Sequence, residues 1–291
     1  MTFAEFFAAN PVVLAAIAFA FGLVVGSFLN VVIYRLPLMM EAEWTAQCRD
    51  LLEISDNTDS GEKPPFNLAV PNSHCPQCKH EISALENIPV LSWAVLRGKC
   101  RYCQAPISPR YPVMELVTAL LTGLVAYHFG FTLLTLAVLL LTWGLIALTM
   151  IDYDHQLLPD DITLPLLWLG LLVNSNGLIV SLEDAVYGAI AGYLLLWGVY
   201  WLFKLLTGKE GMGYGDFKLL SALGAWLGWQ ALPMIILLSS LVGAVIGIGL
   251  IGILGRDRNI PIPFGPYLAS AGFLSLIWGN EITGFYYSLI M

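Results

Sequence analysis

Residues 131–154 read FTLLTLAVLLLTWGLIALTMIDYD: twenty-one residues without a charge from Phe131 to Ile151, then Asp152 and Asp154. An uncharged run of that length matches the roughly 20 residues a helix needs to cross a hydrocarbon core of about 30 Å. It is one of eight predominantly apolar runs, at approximately 11–34, 113–129, 131–151, 162–180, 184–206, 217–230, 232–254 and 264–281. The fourth is interrupted by Asn174-Ser175-Asn176-Gly177, and the sixth is short. The composition agrees. Of 291 residues 58% are hydrophobic and 12% charged, against about 25% charged in a soluble domain, and the mean hydropathy is +0.75. No soluble fold of this size hides so much apolar sequence. A transmembrane barrel would instead alternate over segments of about 10 residues. The expected fold is an all-α polytopic membrane protein of about eight transmembrane helices, with a polar domain at 35–112 between the first and second.

Charge sets the expected orientation. Arg35, Arg49, Lys63, Lys79, Arg97, Lys99, Arg101 and Arg110 lie in or beside the long polar stretch. Lys204, Lys209 and Lys218 surround the fifth-to-sixth connection, and Arg256 and Arg258 sit in the seventh-to-eighth. These are all 13 basic residues, and under eight spans every one falls on one side. That side is read as the cytoplasm, with both termini facing out. The first run lacks a positive region ahead of it and exceeds a signal peptide's apolar length, so it reads as a retained anchor. The acidic, Ser/Asp/Pro-rich residues 41–66 read as a mobile surface segment. With 13 Lys and Arg spread over the chain, no nucleic-acid footprint is expected.

Cys75-Pro-Gln-Cys78 and Cys100-Arg-Tyr-Cys103 form two C-x-x-C knuckles, separated by a stretch long enough to loop out and return. Two knuckles at this spacing supply four thiolates to one tetrahedral Zn²⁺. Two redox pairs or a disulfide framework are the alternatives, and a cytoplasmic position weighs against stable disulfides. With four sulfurs the shell is closed, so the zinc is structural; His74 and His80 are bystanders and Cys48 an ordinary thiol.

Carboxylates at membrane depth are costly and default to a functional reading. Asp152 ends the third run, and Gly211-Met212-Gly213-Tyr214-Gly215-Asp216 opens the sixth. Both lie at cytoplasmic ends, so they can converge at one depth. Two carboxyls in a partly desolvated site do not both ionise easily; such a pair activates water and protonates a leaving amine. Asp154 is expected to be a solvated helix-end acid. Asp160 and Asp161 are expected to cap the next helix, and Asp216 has capping as its alternative. Glu115 either pairs with Arg110 or lines a site. No serine-nucleophile, zinc-protease or phosphate-loop motif competes. A transporter or secretion component using these acids as proton relays is the rival reading, though the repeated halves it would favour are not evident. A membrane redox protein using the cysteine pairs is the other rival.

Across nearly its whole length the chain resembles the type IV prepilin peptidase/N-methyltransferase family. The resemblance rests on GSFLNVVIYRLP (26–37), CPQC (75–78), ENIPVLSW (86–93), RGKC (97–100), CRYC (100–103), ISPRYPVMEL (107–116), IDYDHQLLPD (151–160), GMGYGDFKLL (211–220) and PIPFGPYLA (261–269). It implies a GxGD-type aspartic protease of the bacterial inner membrane with Asp152 and Asp216 as the catalytic pair. Implied substrates are prepilins and type II secretion pseudopilins, cut on the cytoplasmic side after the glycine ending a short basic leader. The resemblance further implies N-methylation of the new N-terminal residue by S-adenosylmethionine, with Gly98 associated with methyl transfer. The expected organisation is a first transmembrane helix over 1–34, a cytoplasmic domain with the four-Cys zinc site over 35–112, and a seven-helix peptidase domain over 113–291.

Overall fold

A computed structural model describes residues 2–52, 66–83, 86–253, 255 and 262–290. Among them there is no β-strand, only two isolated antiparallel bridges. Ten α-helices run in chain order: α1 Phe3–Ala9, α2 Pro11–Leu51, α3 Leu91–Val95, α4 Arg110–Phe129, α5 Leu133–His155, α6 Asp160–Asn174, α7 Leu182–Thr207, α8 Tyr214–Leu227, α9 Leu232–Gly252 and α10 Gly265–Ile290. They divide into two compact units, residues 1–127 and 128–291.

In the first unit, α2 continues through Arg35 and Pro37 to Leu51, 41 residues in all. At 1.5 Å per residue this is about 60 Å, roughly twice the hydrocarbon thickness, so the helix leaves the membrane without stopping. Pro37 forgoes one backbone hydrogen bond, and good helix formers after it (Leu38, Met39, Met40, Glu41, Ala42) sustain the helix. Residues 41–51, expected to be mobile, are thus helical; 53–65 of that acidic segment lie outside the described residues. Arg35 is buried. Its guanidinium donates to the carbonyls of Asn67 at 2.9 Å and Pro71 at 2.6 Å and lies over the Phe66 ring, tying the polar segment to α2. Lower on α2, Gly22 and Gly26 face Ala119 and Glu115 of α4. A Cβ on either glycine would come within 2.7 Å of an α4 Cα. Small residues allow that approach, the usual packing device between membrane helices.

In the second unit α8 is the hub. Phe217, Leu219, Leu220, Leu223, Ala225 and Trp226 are fully enclosed. The α7 backbone meets α8 where Gly188 faces Gly224, and a Cβ on either would collide with the other's carbonyl. Ser221 donates to the Ala189 carbonyl at 2.7 Å. From α6, Gly170 makes room for the Trp226 indole, whose Nε1 donates to the Leu166 carbonyl at 2.8 Å. Asn174, wholly buried, donates to the α8 carbonyls of Ala225 and Trp226 and accepts from the backbone of Ile179 and Val180. The Asn-Ser-Asn-Gly interruption in the fourth apolar run is therefore a helix end that caps its neighbour.

Among the described residues five helices are long and apolar enough to cross a membrane: α2, α4, α5, α7, and α9 with the 3₁₀ turn before it. Of the other three apolar runs, α6 and α8 have 15 and 14 residues. Both are shorter than a full crossing needs, and α8 is enclosed by protein. The third forms α10, with non-helical dihedrals at Trp278.

Candidate active site and metal site

The second unit brings the two expected aspartates together. Asp152 lies one turn from the C-terminal end of α5, which Gln156 closes in the left-handed conformation with its N–H on the Asp152 carbonyl. Asp216 lies in the first turn of α8. Both are buried, at 6% and 7% exposure, and near enough that the Asp152 charge acts on Asp216. Leu158 is the wedge between their supports. It packs on Gly215, the neighbour of Asp216, and on Gly265 at the start of α10. The Gly265 N–H donates to Asp152 Oδ2 at 2.9 Å.

Asp216 does not cap its helix. Gly213 occupies the cap position, without a side-chain hydrogen bond there, and Asp216 Oδ1 is a buried oxygen without a hydrogen-bond partner. Its carboxylate accepts the Gly213 N–H, and leaving the other oxygen buried without a partner costs roughly 1–3 kcal/mol. Asp154 is exposed, as its spacing suggests. The capping expected of Asp160 and Asp161 is not what the structure shows. Pro159 is the cap residue and both acids fall in the first turn of α6 without a side-chain cap bond. Asp160 instead holds Lys218 of α8 through both carboxylate oxygens at 2.7 Å, latching α6 and α8 beside the dyad. The Lys218 ammonium, in the second turn of α8, takes both oxygens that a cap bond would have used.

In the first unit the four expected cysteines converge. The Sγ atoms of Cys75, Cys78, Cys100 and Cys103 all lie within 4.8 Å of one another, and Cys75 and Cys103 are 3.7 Å apart. A tetrahedron of sulfurs about 2.3 Å from Zn²⁺ has edges of about 3.8 Å, so the cluster fits that ion. Each knuckle is built alike. Lys79 and Gln104, the residues after the second cysteines, both take φ 59°. Lys79 donates to the Cys75 carbonyl and Gln104 to the Cys100 carbonyl, while Cys75 donates to His80 and Cys100 to Ala105. The bridges His74–Glu81 and Lys99–Pro106 close the two turns. This repeat is invisible in the sequence beyond the cysteines, because backbone geometry carries it. Backbone N–H groups of Cys78 and Gln77 draw the Cys75 thiol down to about 6. At Cys78 the His80 N–H pulls the same way, but desolvation and the neighbouring thiols push it up to about 11. Four sulfurs this close become thiolates together only around a cation. His80 stacks on Tyr102 and His74 faces the Asn72 carbonyl, so neither is needed as a ligand.

Gly98 has φ 69° and lies under the Trp93 indole, where a Cβ would come within 3.0 Å of the ring. Trp93 Nε1 and the Gly98 carbonyl both bind Ile107, at 3.1 and 2.7 Å. Glu115 is buried; its carboxylate accepts the Val90 N–H at 2.7 Å and a hydrogen bond from Ser27.

Two family profiles cover most of the sequence: a bacterial peptidase A24 N-terminal domain over residues 20–129 and the type IV leader peptidase family over residues 139–248. The chain belongs to the type IV leader peptidase family. Similar proteins include prepilin leader peptidase/N-methyltransferases of Stutzerimonas stutzeri, 59% identical over 98% of both chains, and Aeromonas hydrophila, 63% identical over 93% of both. That of Pseudomonas aeruginosa is 56% identical over 98% of both. No solved structure matches the chain. The border between the two matched family regions falls near the border between the two units, so the cysteine cluster and the aspartate pair lie in different family domains.

Proposed function

We propose that this protein is a membrane-embedded aspartic endopeptidase and N-methyltransferase. It removes the basic leader from type IV prepilins and type II secretion pseudopilins, then methylates the new N-terminal amine. The observation that carries the peptidase half is the buried pair Asp152 and Asp216, with one Asp216 oxygen left without a partner. An ionised carboxylate takes a proton from water as the water oxygen adds to the scissile carbonyl. The other carboxyl protonates the leaving amine as the C–N bond breaks. One proton moves in each direction, so the pair is restored.

The similar proteins named prepilin leader peptidase/N-methyltransferase support the methyl-transfer half, with S-adenosylmethionine as the second substrate. Gly98, which the family resemblance associates with methyl transfer, leaves room for the Trp93 indole within the first unit. Zn²⁺ would be held by Cys75, Cys78, Cys100 and Cys103; bound there, it supplies cross-linking of the two knuckles rather than an open coordination position.

We place the protein in the bacterial inner membrane as about eight membrane helices, α6 and α8 being too short to cross by themselves, with the domain boundaries near residues 34 and 112 and both termini periplasmic. Lys204, Lys209 and Lys218 lie at the same helix ends as the two aspartates, which supports a cytoplasmic active site. A prepilin's basic leader then meets the acids at 41–62 of the cytoplasmic domain. Glu41, Glu43 and Asp50 are exposed on α2, and the remainder lie outside the described residues. Neutralising those three and finding unchanged kcat/KM at low salt would end the steering idea.

The test is mass spectrometry of a purified prepilin incubated with the protein and S-adenosylmethionine. The expected product has lost its leader and gained the mass of one methyl group. Asp152→Asn and Asp216→Asn should each lower cleavage by about 10³-fold or more. Cleavage surviving either change rejects the dyad.

A further inference from the structure

The site has a component from α10 that carries no side chain. Phe264 accepts the N–H groups of Tyr267 and Leu268, both at 3.1 Å, which closes the first turn of α10. The Gly265 N–H belongs to that turn, where backbone donors have no intrahelical partner, and it points at Asp152 Oδ2. A Cβ at residue 265 would lie 2.6 Å from that same oxygen, 3.1 Å from its carboxyl carbon and 3.1 Å from Leu158 Cδ2. Any side chain there would displace the carboxylate. Glycine is thus required for contact rather than for an unusual dihedral, and Pro266 pre-sets the helical φ next to it.

We infer that Gly265 is the positioning residue of the peptidase dyad: its backbone N–H fixes Asp152 Oδ2, and its missing side chain gives Asp152 the space to be held. The inference rests on the reading of Asp152 as catalytic. An N–H can only donate, so Oδ2 stays an acceptor. The proton that the pair shares therefore rides on Asp152 Oδ1 or on Asp216, whose Oδ1 is buried with no competing partner. The three chain segments at the site then have separate tasks. α5 and α8 each bring a carboxyl, and α10 sets the rotamer of one of them so that its free oxygen faces the other.

The experiment measures kcat and KM for cleavage of a purified prepilin by wild type, Gly265→Ala, Leu158→Ala/Gly265→Ala and Asp152→Asn, with unfolding midpoints in the same detergent. Gly265→Ala is expected to lower kcat by about 10²-fold, the order that a 1 Å misplacement costs. KM should stay within about twofold, since binding of leader and helix is untouched, and the midpoint should stay close to wild type. The double variant removes the second clash but not the one with Asp152, so it should remain impaired. If Gly265→Ala does not accumulate in membranes, the roomier double variant carries the test. Near-wild-type kcat in Gly265→Ala beside an inactive Asp152→Asn overturns the inference and leaves the dyad standing. Recovery of kcat in the double variant also overturns it, by reducing Gly265 to a packing role against Leu158. An active Asp152→Asn rejects the dyad and the inference with it.

Discussion

Asp152 and Asp154 are two positions apart, and a helix turns about 200° over that interval. One is therefore buried against α10 and the other exposed. Chemistry divides along the same line. Asp154→Asn should retain cleavage within about threefold of wild type in the mass-spectrometric assay, where Asp152→Asn loses about 10³-fold. Equal losses in the two variants would show that exposure is the wrong criterion. Gly98 poses a different problem, because its φ of 69° and the overlying indole both exclude a side chain. Gly98→Ser in that same assay should yield cleaved but unmethylated product, since it unseats Trp93 in the first unit while the dyad lies wholly in the second. Full methylation by Gly98→Ser would remove the role given to it.

Helices α7 and α8 touch through backbone, and this decides how the GxGD segment is held. At the Gly188–Gly224 crossing a Cβ on either residue meets the other's carbonyl group rather than a side-chain tip. Neither helix can yield without moving the whole of α8, including Asp216 at its start. Gly224→Val should cost at the upper end of the roughly 1–3 kcal/mol that overpacking costs, seen as a lower unfolding midpoint in detergent together with lost cleavage. An unchanged midpoint would mean the helices are less tightly crossed than the structure has them. At the other end of α8, Asn174 binds its last carbonyls, so α8 is secured at both ends while being too short to span alone. A short central helix can carry a buried carboxyl because α6, α7, α9 and α10 pack on it and supply the low-dielectric setting.

The four-cysteine cluster lies in the first unit and the buried aspartate pair in the second, so the two halves of the proposed activity can be tested apart. Chelation, or Cys100→Ser, should unfold the knuckles and depress methylation more than cleavage; equal loss of both would argue that the first unit also serves proteolysis. Acid acts in the same direction. Protons compete with a metal ion for each thiolate, so zinc release, read with a metal indicator, should rise as pH falls; release that does not depend on pH would point to ligands other than these thiolates. Orientation has its own readout. A membrane-impermeant maleimide applied to intact cells should label Asn176→Cys but not Lys209→Cys, and the reverse pattern would invert the topology.

Much of this was legible in sequence because it depends on composition and spacing along the chain. Uncharged runs near 20 residues require a membrane, two C-x-x-C pairs require a common ligand, and acids at span ends require a use. Physical necessity makes each of these local: a charge in hydrocarbon or an unpaired cluster of thiolates is costly wherever the chain puts it. Relations between distant segments were beyond its reach. Nothing along residues 151–160 indicates that Asp160 reaches Lys218 instead of capping its own helix. Nothing in PIPFGPYLA indicates that a backbone N–H, with no side chain to betray it, grips Asp152. Nor does the sequence around Arg35 indicate that its guanidinium holds the carbonyls of Asn67 and Pro71. Sequence by itself pointed to the membrane as solvent, to four cysteines that the fold brings together and to two acids that it buries. Only the tertiary structure decided which oxygen is held, which is left free, and by what, because hydrogen bonds and close backbone approaches depend on distances in space that residue order does not record.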